Sequence, residues 1–191
     1  MKDELLEKVY NHPFIADDDL KKIIDTHEKV EFKKGEIILK EGGIANDYMI
    51  IESGLMRSYV YDYDGNDVTT NFFINDEIVI EVSSLFQRIP TKEYIETLTD
   101  CTCYKVDFDT FQDLFHEIEY FRDWGRAWLS QSLFDFKQRS VSIIKDSATD
   151  RYLHLVKSKP QIIQQAPLKH IASFLGVTDT SLSRIRKNIT H

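Results

Sequence analysis

The sequence has only two cysteines, four prolines and seven glycines, and it contains no long apolar run. No segment approaches the ~18–20 consecutive apolar residues of a membrane-spanning helix, and MKDELLEKVY lacks the apolar centre of a signal peptide. We therefore expect a cytoplasmic chain without a membrane partner. The six histidines are scattered, and no P-loop, G-x-S-x-G motif or metal-ligand cluster is present. These absences argue against an enzyme and leave no candidate catalytic residue, metal or cofactor.

The two cysteines, Cys101 and Cys103, lie two positions apart in the predicted strand YIETLTDCTCYKVDF. Side chains at this spacing leave the same face of a strand, where they are poorly placed to form a disulfide. One C-x-C pair also offers too few ligands for a zinc or iron–sulfur site. We interpret both residues as reduced thiols.

The charges are unevenly distributed along the chain. The formal net charge is −8, yet residues 146–191 hold seven basic and three acidic residues, a net charge of +4. Residues 1–145 therefore carry −12. A basic segment attached to an acidic body is typical of a module that binds a polyanion, while the acidic body disfavours non-specific nucleic-acid binding.

The residue pattern changes twice along the chain. Residues 2–27 predict two short helices separated by an Asn-His-Pro breaker. Residues 30–108 alternate short β-rich segments with glycine turns, and the Asp-Gly-Asn sequence at 64–66 marks a hairpin. This pattern predicts an α+β fold in which residues 1–116 form a domain of N-terminal helices and a small antiparallel β-barrel or sandwich.

One long helix is predicted over residues 117–145, which contain no proline and a single glycine. One face of this helix is apolar at helical spacing. A long helix with such a stripe commonly packs against a copy of itself, so we predict a homodimer. A helix packed wholly on its own β-domain is the alternative. The predicted dimer contacts are Phe121, Gly125, Trp128, Leu129, Ser132, Phe136 and Ile143.

Residues 146–191 predict a DNA-binding domain that ends in a helix-turn-helix. Pro167 suits the first turn of the helix LKHIASFL, and Gly176 suits a left-handed turn after it. Thr178 or Asp179 can cap the following helix, TSLSRIRKNI. An ordinary helical hairpin is the alternative. The residues that would pack the two helices together are Ile171, Ala172, Leu175, Val177, Leu182 and Ile185.

The second helix of a helix-turn-helix enters the major groove of double-stranded DNA. Arg184 is the candidate for a bidentate contact to guanine O6 and N7, with Thr180 and Ser181 beside it on the exposed face. Solvated surface charge is the alternative for each residue. The predicted phosphate contacts are Ser183, Arg186 and Lys187 on the second helix and Lys169 on the first.

The order of these elements and three segments, FKKGEIILKEGG, YMIIESGLMRSYVYDYDG and IASFLGVTDTSLSRIRK, resemble the Crp/Fnr family of transcription factors. The resemblance covers essentially the whole chain. It implies a cyclic-nucleotide-binding-like β-roll, a dimer through the long helix, binding to an inverted-repeat operator and contact with RNA polymerase. Many members continue into a β-hairpin wing, whereas three or four residues remain here. The implied fold is therefore winged-helix-like with the wing missing, either complete without it or truncated.

Residues 80–94, IEVSSLFQRIPTKEY, depart from the phosphate cassette that the resemblance implies. The cyclic-AMP-binding members use a Glu for the ribose and an Arg-Ser pair for the phosphate. Glu81 matches the first, but Thr91-Lys92 replaces the pair, which removes the bidentate phosphate partner. Compensation by Lys92 or Arg88 is the alternative. The oxygen-sensing members use a cysteine cluster near the N-terminus, and this sequence has none. No axial haem ligand is identified, and a small-molecule effector, if one exists, stays unidentified. The candidate pocket residues are Glu81, Ser83, Ser84, Arg88, Thr91 and Lys92.

Together these features predict a dimeric, sequence-specific DNA-binding regulator that does not respond to cyclic AMP. The alternative is a ligand-sensing or protein-interaction module whose helix-turn-helix no longer binds DNA. The cluster of Arg184, Arg186 and Lys187 favours the regulator, because a degenerate module has little reason to retain it. The operator, the target genes and the sign of regulation do not follow from the sequence.

Overall fold

The computed structural model describes residues 2–189, and its N-terminal part consists of two helices. These are α1 (Lys2–Val9) and α2 (Asp17–Asp25). Three aspartates in the first turn of α2 suit the positive end of the helix dipole. Leu6, Tyr10 and Ile23 are fully buried, so both helices belong to the core.

Residues 28–107 form two four-stranded antiparallel sheets, as predicted. The strands are β1 (Glu28–Phe32), β2 (Ile37–Leu39), β3 (Asp47–Ser53), β4 (Met56–Tyr61), β5 (Asp67–Phe73), β6 (Ile78–Val79), β7 (Tyr94–Thr97) and β8 (Cys101–Asp107). The first sheet has the order β1-β8-β3-β6, and the second has the order β2-β7-β4-β5. The α+β class and the antiparallel roll are therefore confirmed, and we call these strands the β-domain.

Two helices cover the first sheet. They are α3 (Val82–Gln87), which follows β6, and α4 (Phe108–Glu117), which follows β8. Asp107 caps α4 by accepting a hydrogen bond from the Thr110 N–H at 3.0 Å. Leu85 of α3 and Phe111 of α4 are buried in one hydrophobic cluster with Ile50 of β3. This cluster also takes in α1 and α2.

The long helix α5 spans Phe121–Lys145. The predicted start at residue 117 is wrong by four residues, because Ile118 is extended and buried and so ends α4. Phe121 and Trp124 then anchor the first turns of α5 in the core of the β-domain. Although α5 has 25 residues, no helix within residues 2–189 is both long and apolar enough to cross a bilayer.

The closing helices are α6 (Ala148–Ser158), α7 (Pro160–Gln165), α8 (Leu168–Phe174) and α9 (Asp179–Ile189). Helix α7 was not predicted from the sequence. Gly176, at a φ of +67°, lets the chain turn after α8, and the N–H of Val177 bonds to the Ala172 carbonyl at 3.0 Å. Ala172 and Leu182 are fully buried where α8 and α9 meet. Thr190 and His191, where a wing would begin, lie outside the described residues.

The closing helices pack on the outer face of the second sheet. Phe72 of β5 lies edge-on to Phe174 of α8, with ring centroids 5.1 Å apart. One hydrophobic cluster joins the two parts, and its members are Leu55, Phe72, Leu98, Tyr152, Leu155, Ile162, Ile171, Ala172, Leu175 and Leu182. The predicted boundary near Asp146 therefore separates elements that share part of one core.

Candidate functional site

The predicted effector segment folds around α3, and hydrogen bonds join it to residues 43–46 before β3. Glu81 caps α3, and its side chain accepts a hydrogen bond from the Ser84 N–H. The fully buried Ser84 hydroxyl accepts from the Ala45 N–H at 2.9 Å and donates to the Ile89 carbonyl at 2.7 Å. Ser83 is exposed in the first turn of α3. Ser84 thus holds α3 against the segment before β3.

Arg88 is one of the two cationic side chains between residues 83 and 92 of this segment. Its backbone is left-handed, with a φ of 55°, and it ends α3. The guanidinium donates to the Ala45 carbonyl at 2.7 Å and to the Asn46 side-chain oxygen at 2.6 Å, and it lies 4.6 Å from the Phe108 ring centroid. Arg88 therefore joins α3 to the segment before β3 and to α4.

The Thr91-Lys92 pair does not place a cation inside the β-domain either. Thr91 is buried, its N–H donates to the Gly43 carbonyl at 2.8 Å, and its hydroxyl accepts from the Glu93 N–H at 3.0 Å. Lys92 is exposed. Thr91 therefore fixes the turn before β7, while Lys92 faces solvent.

A cavity of about 150 Å³ lies inside the β-domain. Glu81 lines it, whereas the other five predicted pocket residues lie outside its lining as the structure describes it. Asp47 is the second carboxylate on the wall, and burial raises its pKa although Lys105 opposes the shift. No cationic side chain belongs to the lining within residues 2–189. The lining residues are Ile38, Leu39, Ile44, Ala45, Asn46, Asp47, Met49, Val79, Ile80, Glu81 and Ile95.

Helix α9 presents one polar face to solvent. The Thr178 hydroxyl caps the helix by accepting from the Ser181 N–H at 3.2 Å, and Leu182 is buried against α8. Because positions i, i+3, i+4 and i+7 share one face of a helix, the spacing groups four exposed residues opposite Leu182. These residues are Thr180, Ser183, Arg184 and Lys187.

The other predicted DNA contacts lie beside this face. Arg186 is exposed on its flank, and the Ser181 hydroxyl lies 2.9 Å from the Thr178 hydroxyl within the cap. Lys169, at the start of α8, has its ammonium 3.6 Å from an Asp67 carboxylate oxygen. Lys169 is therefore directed toward the β-domain.

The first half of the predicted dimer stripe on α5 is covered by the protomer itself. Phe121 is fully buried and stacks on Trp124, with centroids 5.1 Å apart. A Cβ at Gly125 would lie 2.5 Å from the Phe115 ring, and Trp128 packs against the same core. Phe121 and Gly125 are thus wrong as dimer contacts, because they are buried in the core of the protomer itself, while Trp128 is half-buried at the edge of that core.

The second half of the stripe is exposed. Leu133 and Phe136 are each 67% exposed and Ile144 is 85% exposed, which is unusual for apolar side chains on one helix face. Ser132 is half-buried at its edge. Leu133 and Ile144 were missed because the predicted stripe was centred on the side of Phe121. We call the exposed set the α5 stripe, and it consists of Leu129, Leu133, Phe136, Ile143 and Ile144.

Arg139 connects α5 to β5 of the β-domain and to α8. No sequence pattern indicated this role. Its guanidinium donates to the Thr70 carbonyl of β5 and, at 3.1 Å, to the Phe174 carbonyl of α8. It also lies 3.9 Å from the Phe174 ring centroid. Burial lowers the pKa of Arg139 to about 10. This residue fixes α8 relative to α5.

Comparison with known families identifies part of this arrangement. The model of the cyclic nucleotide-binding domain matches residues 29–117, which correspond to β1 through α4. No curated protein matches the sequence. The matched range contains the cavity and the segment around α3.

Three solved structures illustrate the similarity in fold. FixK2 from Bradyrhizobium japonicum has a TM-score of 0.75 at 16% identity, over 86% of this chain and 84% of its own. The c-di-GMP responsive global regulator CLP from Xanthomonas campestris has a TM-score of 0.68 at 17% identity, over 92% of each chain. A protein from Eubacterium rectale described as a transcriptional regulator of the Crp/Fnr family has a TM-score of 0.71 at 16% identity, over 95% of this chain and 87% of its own. At these identities the likeness shows the fold alone.

Proposed function

We propose that this chain, which has the fold of Crp/Fnr transcriptional regulators and a cyclic nucleotide-binding domain, is a dimeric, sequence-specific DNA-binding regulator. The observation that carries the proposal is the exposed face of α9, where Arg184 and Lys187 lie one to two turns from the helix start. This face belongs to a segment of net charge +4 on a body of −12. The function would be performed in the cytoplasm, with RNA polymerase as a further partner by resemblance.

The geometry of α8 and α9 suits a helix-turn-helix that reads the major groove. Leu182 packs on α8, so the opposite face of α9 is exposed on the surface, where base edges could meet it. Arg184 can form the bidentate pair with guanine, and Lys187 on the same face reaches the phosphates. In a dimer related by a two-fold axis, two such helices would read an inverted repeat with half-site centres about 34 Å apart.

Selection of bound sequences from a random DNA pool tests this function directly. We expect an inverted repeat to be enriched by the full chain. If no sequence is enriched, with or without added small molecules, the chain is a sensing or interaction module and the regulator proposal fails.

Replacing Arg184 with alanine should cost about 1–3 kcal/mol on the selected operator and relax the preference at one symmetric position per half-site. The reason is the loss of a bidentate contact to a base edge. Lys187→Ala is the matched control, because it should weaken binding to all sequences alike and lower the salt slope by about one unit per phosphate contact. Fluorescence anisotropy at several salt concentrations measures both. An equal loss on operator and random DNA for Arg184→Ala would make Arg184 a phosphate contact.

Cyclic AMP should not bind in the micromolar range. The cavity wall carries two carboxylates, Asp47 and Glu81. Of the two cations near α3, the Arg88 guanidinium is already bonded to Ala45 and Asn46, and Lys92 is exposed. A cyclic phosphate there would lose its hydration without gaining a charge-assisted partner. Titration calorimetry with cyclic AMP measures this. Micromolar affinity would contradict the prediction, and Arg88→Ala and Lys92→Ala would then show which cation holds the phosphate.

A further inference from the structure

Helix α8 contacts the β-domain through a buried polar cluster centred on Arg57 of β4. The Arg57 side chain is only 3% exposed. Within the β-domain its guanidinium donates to Glu96 of β7 at 2.6 Å, to Asp67 of β5 at 3.1 Å and to the Thr69 hydroxyl at 2.9 Å. A further contact crosses to α8, where His170 Nδ1 lies 2.6 Å from the same guanidinium.

This contact requires a neutral histidine. A guanidinium has only donors, so His170 Nδ1 has to accept, and the ring proton is then on Nε2. A protonated ring has no acceptor, so it would lose the bond and place a second cation beside Arg57. Since His170 is only 5% exposed, solvent cannot screen these two charges.

The charged groups around His170 come from each element packed against it. Arg57 is on β4, Asp67 Oδ1 on β5 lies 3.6 Å from Nδ1, Lys169 is adjacent on α8, and Glu96 on β7 is held by Arg57. Burial first, and Arg57 next, lower the pKa of His170 to about 4, although Asp67 opposes the shift. Asp67 is shared with Arg57 and Lys169, so it cannot offset burial.

Two further contacts join the same side of α8 to β5. The Thr69 N–H donates to the Ser173 hydroxyl at 3.1 Å, and the Phe72 and Phe174 rings pack together. We call the whole contact the docking patch, which consists of Arg57, Thr69 and Phe72 on the β-domain and His170, Ser173 and Phe174 on α8. Because Ala172 and Leu182 pack α8 on α9, release of this patch would move α9 as well.

We propose that the docking patch is a pH-sensitive switch, in which neutral His170 holds the α8–α9 pair on the β-domain and protonated His170 releases it. That the switch would control operator binding rests on the proposed function. The switch itself is a property of the protein without DNA. The segment that docks on the β-domain is α8 of the same chain, and His170, the group that titrates, is buried between the two.

The sign follows from the two protonation states. His170 has a pKa of about 4 when docked and an ordinary value near ~6.5 when released, so the released form takes up the proton. Docking is therefore fully favoured above the ordinary value and is progressively lost as the pH falls from it toward the docked pKa. At about one pH unit below the ordinary value, release should be about tenfold more frequent than near neutrality.

Hydrogen exchange of the Thr69 amide measures release of α8 from the β-domain, because the bond of this amide to Ser173 crosses the docking patch. Native-state hydrogen exchange by NMR, corrected for the intrinsic effect of pH, should give a Thr69 protection factor about tenfold lower near pH ~5.5 than near pH ~7.5. His170→Asn keeps a neutral acceptor at the position of Nδ1, so its protection should not change with pH. His154→Asn, an exposed histidine on α6, is the matched control and should behave as the wild type.

The proposal is overturned if wild-type Thr69 protection does not change with pH or if His170→Asn keeps the wild-type change. A parallel loss of protection on β3 would also overturn it, because that would be unfolding of the β-domain. Should His170→Asn fail to fold, titration of the wild-type His170 ring by NMR replaces it, and a pKa near ~6.5 would contradict the docked value. No DNA is present, so this result is independent of the selection experiment.

Discussion

Replacing Arg57 with methionine should lower the free energy of unfolding by about 3–5 kcal/mol, because it leaves two largely buried carboxylates without their cation. Glu96 and Asp67 are 17% and 26% exposed, and both are bonded to the guanidinium. Burial alone would raise the pKa of Asp67, but the hydrogen bonds and charge of Arg57 outweigh it and keep that pKa low. Urea denaturation monitored by circular dichroism near neutral pH measures the loss.

The pH dependence gives this prediction a second test. A carboxylate with a lowered pKa stabilises the fold above its ordinary value near ~3.9 and loses that contribution as the pH falls through the lowered value. The deficit of Arg57→Met should therefore shrink in acid. Lys29→Met is the matched control, because the Lys29–Glu31 pair is exposed and its loss should leave stability nearly unchanged. Equal small effects of the two substitutions would show that the Arg57 cluster is not a stabilising unit.

The substitution Phe136→Glu should dissociate the proposed dimer. Phe136 lies at the centre of the α5 stripe and is 67% exposed in the single chain. In a symmetric dimer through this stripe, the substitution buries two like charges in a desolvated interface, so the dissociation constant should rise by at least about 100-fold. Sedimentation velocity over a range of protein concentrations measures it.

The matched control for this change is Phe134→Glu. Phe134 is 55% exposed and lies two residues away on another face of α5. The substitution Phe134→Glu makes the same chemical change outside the α5 stripe and should leave association of the two copies intact. A wild-type chain that is monomeric at micromolar concentration, or equal dissociation by both variants, would contradict a dimer through the α5 stripe.

Features set by local sequence were predicted well. The hairpin at 64–66, the turn at Gly176 and the cap at Thr178 depend on backbone preferences within a few residues. The polar face of α9 also follows from helical spacing alone. In each of these cases neighbours along the chain determine the structure, so the sequence alone was sufficient to predict it.

Features set by distant contacts were not predictable in this way. The apolar periodicity of α5 is continuous, and only the position of Phe115 shows that Gly125 is covered while Leu133 is not. The Arg57–His170 pair joins residues 113 positions apart, and nothing near either one marks it. The effector segment was predicted from residue types, yet Ser84 and Arg88 are engaged in hydrogen bonds to Ala45, which lies 39 and 43 positions away from them.

Helix α5 has one further consequence for how the protein would be used in a cell. It carries the α5 stripe, and Arg139 at the edge of that stripe bonds to Thr70 and Phe174. A stiff helix cannot rotate to suit a second copy without also moving that guanidinium. If formation of the proposed dimer shifts that guanidinium, thermodynamic reciprocity requires association and the packing of α8 to change each other by the same factor. The number of copies of the protein per cell would thereby act as a signal in its own right, since dilution alone would change where α9 points.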